Sequence, residues 1–332
     1  MQISSILDIV DGELLNSPSI SFIYSIKTNV SKVKEGDLFI VRNKDDIQTA
    51  INNGAFALVL EDNHFITDNE IAWIKVKNIN TSIIQLIRFK LAISDLKAYY
   101  CDEVTFDLLK IFANNSLKNI VFIPKNIDKL FKQIEDINHD DVIICSNKTI
   151  LDKIYPNNKS FSNNNSFIKI ENLVEHSLFE CSFSFNDIYF QKIKIPSIYI
   201  KELISVYKFL DYEFDFSKLK SFTNFKPIFL DKSMNLLEFG RSDKFIICQK
   251  NIDLVKREIS YIKTKYKYAK TLFITSSYLD ILEINEQIIL DNLENLKSML
   301  KTSSFNAVYL INYNFDDVYD YLQKEEKPLT LF

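Results

Sequence analysis

The chain has 332 residues, 47% of them hydrophobic and 25% charged, with a formal net charge of -4. Such a length calls for two or three domains, the composition is that of a globular protein, and the slight acidity excludes a basic nucleic-acid- or membrane-surface-binding class. The longest apolar runs, such as AFALVL (55–60), fall far short of the roughly 20 residues of a membrane span, and the opening MQISSILDIVDGELL has acidic residues within its apolar pattern and no basic leader, which argues against a secretory signal.

Residues 2–10, QISSILDIV, predict a short amphipathic helix closed by Gly12. SFIYSIKT (21–28) and GDLFIVR (36–42) read as strands. DDIQTAINNGA (45–55) reads as a helix ending in a glycine cap. FALVLE (56–61) and IAWIKV (71–76) are buried strands, and TSIIQLIRFKLA (81–92) is a helix. From 95 the pattern alternates: strands at 97–101, 119–124 and 141–146, helices at 104–114, 126–137 and 148–155. That alternation predicts a parallel sheet. PNNKSFSNNNS (156–166) is the clearest loop. Residues 177–195 alternate at period two, as a hairpin or edge strands do, and 197–212 is a helix. Strands at 244–249, 271–276 and 306–313, with helices at 251–266, 294–301 and 315–327, complete a third section.

Cys101, Cys145, Cys181 and Cys248 have no framework or C-x-x-C spacing and read as buried apolar residues of a reducing cytoplasm. His64, His139 and His176 are far apart, so no metal-ligand spacing exists. The chain has only four glycines, about 1% against a usual ~7%.

The first 92 residues resemble the N-terminal domain of the Mur ligases, nearest to those that add D-alanyl-D-alanine to the UDP-muramoyl peptide. The carrying stretches are DGELL (11–15), TNVSKVKEGDLF (28–39), AINNGAFALVLE (50–61) and IAWIKVKNINTSIIQLIRFKLA (71–92). Gly12, Gly36 and Gly54 fall on family glycines, and each is expected at a positive φ or a close approach. A weaker likeness continues through FTNFKPIFL (222–230) and residues 243–332. The resemblance implies an α/β, three-section architecture: an N-terminal domain (1–94), a reduced central ATPase-like domain (95–240) and a shortened C-terminal Rossmann-like domain (241–332). It also implies Thr28 and Asp37 as ligand-binding positions.

The family's chemistry is missing. Its phosphate loop, Thr-Gly-x-x-Gly-Lys-Ser/Thr, needs glycines so that backbone N–H groups can wrap the phosphates, a lysine against their charge and a hydroxyl for Mg²⁺. The expected place here reads CDEVTFDLL (101–109), with Asp102 and Glu103 where phosphate would be repelled and only Thr105 offering a hydroxyl; no glycine occurs between Gly54 and Gly240. The family's Asp-Ser-Arg is replaced by Asn29-Val30-Ser31, its Asp-Gly-His-Asp loop is deleted within VRNKDDIQ, and only Asn251 matches its C-terminal Asp-Asp-Ser-Tyr-Asn segment. The stretch before residue 177 is too short for the family's Mg²⁺-binding Glu and His.

Other features have plainer readings. Glu180 is expected as a solvent-facing strand residue rather than a metal ligand. Asp316 and Asp317 suit a helix start, and Asp140-Asp141 precede a strand. GRSDK (240–244) is a connecting turn more often than a phosphate turn, and KTKYKYAK (263–270) is a solvated face more often than an RNA site.

The resulting expectation is a degenerate Mur ligase-like protein: cytoplasmic, non-catalytic, with no catalytic or metal residues and no cofactor, acting as a binding or scaffold protein beside cell-wall synthesis enzymes. One alternative is an ATP- and Mg²⁺-dependent amide-bond ligase with an unrecognised nucleotide site. Another is a UDP-muramoyl or small-ligand binder acting through the N-terminal domain. Neither a nucleic-acid partner nor a membrane span is expected.

Overall fold

The structure, a computed structural model, describes residues 1–92, 96–115, 117–124, 126–134, 137–161, 168–212 and 215–324. The chain divides into two compact units, Met1–Ser166 and Phe167–Phe332.

The first unit opens with α1 (Ile3–Val10) and a five-stranded sheet: β1 (Glu13–Leu14), β2 (Ile26–Lys27), β3 (Leu38–Ile40), β4 (Ala57–Leu60) and β5 (Ala72–Lys75). Its order is β1-β5-β4-β3-β2. β2 to β5 run parallel and β1 is antiparallel to β5. Helices α2 (Asp46–Asn52) and α3 (Ile79–Ala92) complete the section. Its central strands read as continuous apolar runs because both faces are covered. Leu38, Ile40, Val59 and Ile74 face one core with α1 and α3. Phe39, Val41, Leu58 and Trp73 face the other, with Ile47 and Ala50 of α2.

A second, wholly parallel sheet follows, of order β7-β8-β6-β9: β6 (Lys97–Tyr100), β7 (Ile120–Phe122), β8 (Val142–Cys145) and β9 (Lys159–Ser160). α4 (Glu103–Phe112), α5 (Leu130–Ile134) and α6 (Lys148–Ile154) connect its strands. One hydrophobic cluster runs from α1 through α3 to Ile143 of β8 and Leu151 of α6, so both sheets share a core.

The glycines explain the turns. Gly54 (φ +91°) ends α2 in a Schellman motif: its N–H donates to Ile51 O (2.9 Å) and the Ala55 N–H to Ala50 O (3.0 Å). Gly36 (φ +90°) donates its N–H to Gly54 O at 3.0 Å, and Tyr24 lies over it so closely that a Cβ would meet its ring at 2.0 Å. Gly12 is needed for space, since a Cβ there would lie 2.9 Å from Ile74. The left-handed residue that closes α1 is Asp11 (φ 50°) rather than Gly12.

The second unit begins with an antiparallel sheet of β10 (Glu171–Ser177), β11 (Glu180–Phe185) and β12 (Ile188–Ile193). Asn186 and Asp187, both at positive φ, form its two-residue turn. α7 (Ile200–Phe209) follows a 3-10 turn at Ser197–Tyr199. A six-stranded sheet of order β14-β13-β15-β18-β16-β17 comprises β13 (Pro227–Leu230), β14 (Leu236–Leu237), β15 (Lys244–Gln249), β16 (Thr271–Thr275), β17 (Gln287–Ile289) and β18 (Ala307–Ile311). Residues 227–237 thus pair within the C-terminal sheet. α8 (Ile252–Lys265), α9 (Leu296–Thr302) and α10 (Phe315–Gln323) flank it. The helix expected to reach 327 is described to Gln323, and residues 325–327, like 162–166 of the expected loop at 156–166, lie outside the described residues; Lys159–Ser160 of that loop form β9. Among the described residues no helix is long and apolar enough to cross a membrane.

The core of this unit holds a carboxyl group. Glu258 on α8 is fully buried and accepts hydrogen bonds from the hydroxyls of Tyr199 and Tyr309 and from Gln249 Nε2 (2.7 Å). Burial pushes its pKa up to about 7, against these hydrogen bonds and the nearby Arg257 charge. The folded state therefore holds this proton where the unfolded chain, at an ordinary value near 4.5, has released it.

Two outcomes are expected. Stability should fall by about 3 kcal/mol as pH rises from about 4.5 to 7 through this group alone, and Glu258→Gln should remove that slope in urea denaturation at successive pH values. Gly54→Ala, which adds a Cβ 2.8 Å from the Glu35 Cα at positive φ, should cost more than about 2 kcal/mol. Gly240→Ala, at φ +75° with open space around it, should cost only about 1.

Candidate functional site

The first place to look is the strand–helix junction where a phosphate loop would lie. β6 ends at Tyr100 and α4 begins at Glu103, so Cys101 and Asp102 are the entire connection. Asp102 is the helix cap, in extended backbone (φ -68°, ψ 166°). Its Oδ1 accepts the Thr105 N–H at 2.9 Å and its Oδ2 accepts the Thr105 hydroxyl at 2.7 Å. The partial positive charge of the helix N-terminus is thereby met by the chain's own carboxylate. Thr105 is 3% exposed, and its hydroxyl donates to that cap. Burial, reinforced by the Asp102 charge, pushes the Cys101 thiol well up. A connection of two residues cannot present the successive N–H groups that wrap a phosphate.

A second place lies within the first unit beside Thr28. The Thr28 hydroxyl donates to the Asp128 backbone carbonyl at 2.8 Å, linking the end of β2 to the segment before α5. Arg42, just past β3, donates through Nε (3.1 Å) and Nη2 (2.7 Å) to Asp128 Oδ1, and through Nη2 to Asn80 Oδ1 (2.6 Å). Next to this link is a cleft of about 410 Å³ whose walls include Lys27, Thr28, Asn29, Lys32, Asp128 and Lys129. Three lysines give it a positive border; Lys27 also donates to Ser25 Oγ at 2.8 Å. Asn29 caps the 3-10 turn Val30–Lys32 by accepting from Ser31 N.

Of the two positions expected to bind ligand, Thr28 borders this cleft. Asp37 is 4% exposed and closes its own turn, with Oδ2 accepting the Lys34 N–H at 2.9 Å. Arg42, Asp128 and Lys129 were not legible as site residues. The partners of Arg42 and Asp128 are 38 to 100 positions away in the chain, and only the tertiary fold brings them together.

The remaining candidates take structural places. Asp141 is buried and accepts from Asn119 Nδ2 (2.6 Å) and Asn138 N (2.9 Å). Asp316 and Asp317 occupy the first turn of α10. Asn251 caps α8 by accepting from Asp253 N at 3.0 Å. Glu180 begins β11 opposite Ser177. In the basic stretch, Lys263 pairs with Glu286 and Lys265 with Glu175. All four cysteines are buried; burial pushes the Cys181 thiol to about 12. His64 stacks on Trp73 and His176 Nε2 shares a hydrogen bond with Ser182 Oγ.

No family model matches the chain. Nor does any curated protein sequence match it significantly. Solved structures do. A MurF ligase from Thermotoga maritima in complex with ADP is 13% identical, with 90% of this chain and 97% of that one covered at a TM-score of 0.57. A MurF from Acinetobacter baumannii is 10% identical over 97% of this chain and 99% of that one, at a TM-score of 0.55. A UDP-N-acetylmuramoylalanyl-D-glutamyl-2,6-diaminopimelate–D-alanyl-D-alanyl ligase from Acinetobacter baumannii is 9% identical over 97% of each chain, at a TM-score of 0.52. The chain has the Mur ligase fold.

If Asp102 serves the helix, Asp102→Ala should destabilise the first unit by about 1 kcal/mol and Asp102→Asn by much less. Urea denaturation of both variants checks this.

Proposed function

We propose that this chain is a non-ligating protein with the Mur ligase fold, a cytoplasmic binding or scaffold component linked to peptidoglycan precursor synthesis. One observation carries the reading: the junction after β6 is two residues long and its helix N-terminus is capped by Asp102. A nucleotide phosphate brought there would meet the carboxylates of Asp102 and Glu103 at short range. In a partly buried site such like-charge contact costs several kcal/mol. With no glycine from 55 to 239, no other loop of that stretch has the backbone freedom that phosphate wrapping uses.

A second reading is supported by the cleft beside Thr28. Lys27, Lys32 and Lys129 border a space of about 410 Å³, which is within the range of small-ligand sites and suits an anionic ligand such as a UDP-muramoyl peptide. The two readings are compatible, since a scaffold of precursor synthesis gains by holding the precursor.

Calorimetry of the full chain with ATP and Mg²⁺ is expected to give no saturable heat. Saturable binding would overturn the non-ligating reading and favour the atypical ligase. A UDP-muramoyl peptide at a hundredfold excess over its Kd should stabilise the chain by about 3 kcal/mol, visible as a raised Tm. No shift would remove the second reading while leaving the first. Co-purification with precursor-synthesis enzymes is the positive result expected of a scaffold.

A further inference from the structure

The second unit contains a cavity of about 520 Å³ that none of the readings above uses. Its walls are aromatic: Phe179, Phe229, Phe239, Phe245 and Tyr266. Phe179 is the hub, edge-on to Phe245 at 5.0 Å, to Phe229 at 6.1 Å and to Phe239 at 6.4 Å. Tyr266 lies 5.6 Å from Phe245. Three of these rings are buried, with Phe179, Phe229 and Phe245 under 8% exposed, while Phe239 stands 44% exposed. Phe239 thus presents an accessible aromatic face at the mouth of a wall whose other phenylalanines are buried.

The polar groups on the same walls include Glu175, His176, Ser242, Asp243 and Lys265, besides Ser177 and the hydroxyls of Tyr261 and Tyr266. Lys265 is spent on Glu175, at 2.5 Å. His176 is held by Ser182 Oγ at 2.7 Å, and the Ser242 hydroxyl accepts the Lys244 N–H at 3.0 Å. Asp243 makes no ion pair among the described residues. Its charge is felt inside the site, because the Tyr266 phenol is raised by burial and then by Asp243. The rings add electron-rich faces, which attract cations, and Lys194 Nζ already sits 4.8 Å above the Phe239 ring centroid. Volume, apolar walls and a few convergent polar groups are the features of a small-molecule site. Among the residues that line the cavity, one ion pair and the Asp243 carboxylate leave a net negative charge, which favours a cationic ligand; Lys194 lies outside that lining.

We propose that this cavity binds a small ammonium compound: a ring-sized apolar body among Phe179, Phe229, Phe239 and Phe245, with its positive nitrogen facing Asp243. The turn GRSDK supplies the carboxylate and Gly240 beside it, so this segment, a connecting turn in the fold, also forms one wall of the site. The proposal is independent of the nucleotide question, because every residue it uses lies in the second unit.

The probes are 2-phenylethylamine, 3-phenylpropionate and 2-phenylethanol, which share a body and differ in charge. Titrated into the full chain by calorimetry or ligand-observed NMR, the amine should bind at least about tenfold more tightly than the carboxylate, the alcohol lying between; a tenfold ratio corresponds to about 1.4 kcal/mol. Asp243→Asn should weaken the amine about tenfold and leave the alcohol unchanged. Phe239→Leu should weaken all three. Both side chains are exposed, so an unchanged urea midpoint will show that the variants fold. Equal binding of amine and carboxylate, failure of all three to bind, or an Asp243→Asn variant that still prefers the amine would each overturn the proposal.

Discussion

Helix α3 is buried from two sides, and that constraint organises the first unit. Its side chains Ile79, Ile83, Leu86, Ile87 and Leu91 are all under 5% exposed and belong to the cluster that joins both sheets. At roughly 1.5–3 kcal/mol for each buried aliphatic side chain, these five contribute on the order of 10 kcal/mol before conformational entropy is counted. The Arg42–Asp128 ion pair, with side chains 35% and 43% exposed, is worth less than about 1. The cleft beside Thr28 is therefore placed by the shared core. The polar link across it sets local orientation and little of the stability.

Scarcity of glycine shapes the turns in a consistent way. Among the described residues ten non-glycine positions have positive φ, and six of them are Asn or Asp: Asp11, Asn172, Asn186, Asp187, Asp211 and Asn312. These are the side chains that tolerate the left-handed region best, through local hydrogen bonding. Glycine is kept where a side chain would collide, as at Gly36 under Tyr24 and Gly54 against Glu35. Those two turns also bond to each other, which fixes the start of β3 against that of β4.

Much of this was legible in the sequence because period and turn chemistry are local. The buried runs at 36–42, 56–61 and 71–76 predicted β3, β4 and β5, and Asn-Asn-Gly predicted the end of α2. The short strands β1, β9, β13, β14 and β17 were not legible, β9 lying within the expected loop at 156–166. Two to four residues carry no periodicity, and pairing across the sheet decides them. The helix expected over 126–137 starts as a 3-10 turn and becomes α-helical at Leu130, a choice made by packing rather than propensity. At the site, the mismatch between CDEVTFDLL and a phosphate-loop sequence could be read directly, since it is a matter of residue types and chain length. The structure of that junction could not. That Thr105 donates both its N–H and its hydroxyl to the Asp102 carboxylate, or that residues of 175–179, 229–245 and 261–266 enclose an aromatic cavity, is decided by the tertiary fold.

The Asp102 cap also bears on how such a protein can change over time. A route from this junction to a nucleotide-binding loop would need inserted residues, several glycines and a lysine together. Its first step, removal of the cap, lowers stability by about 1 kcal/mol and gains no phosphate contact. Helix capping and phosphate binding thus make opposite demands on the same two residues, and no single substitution there meets both.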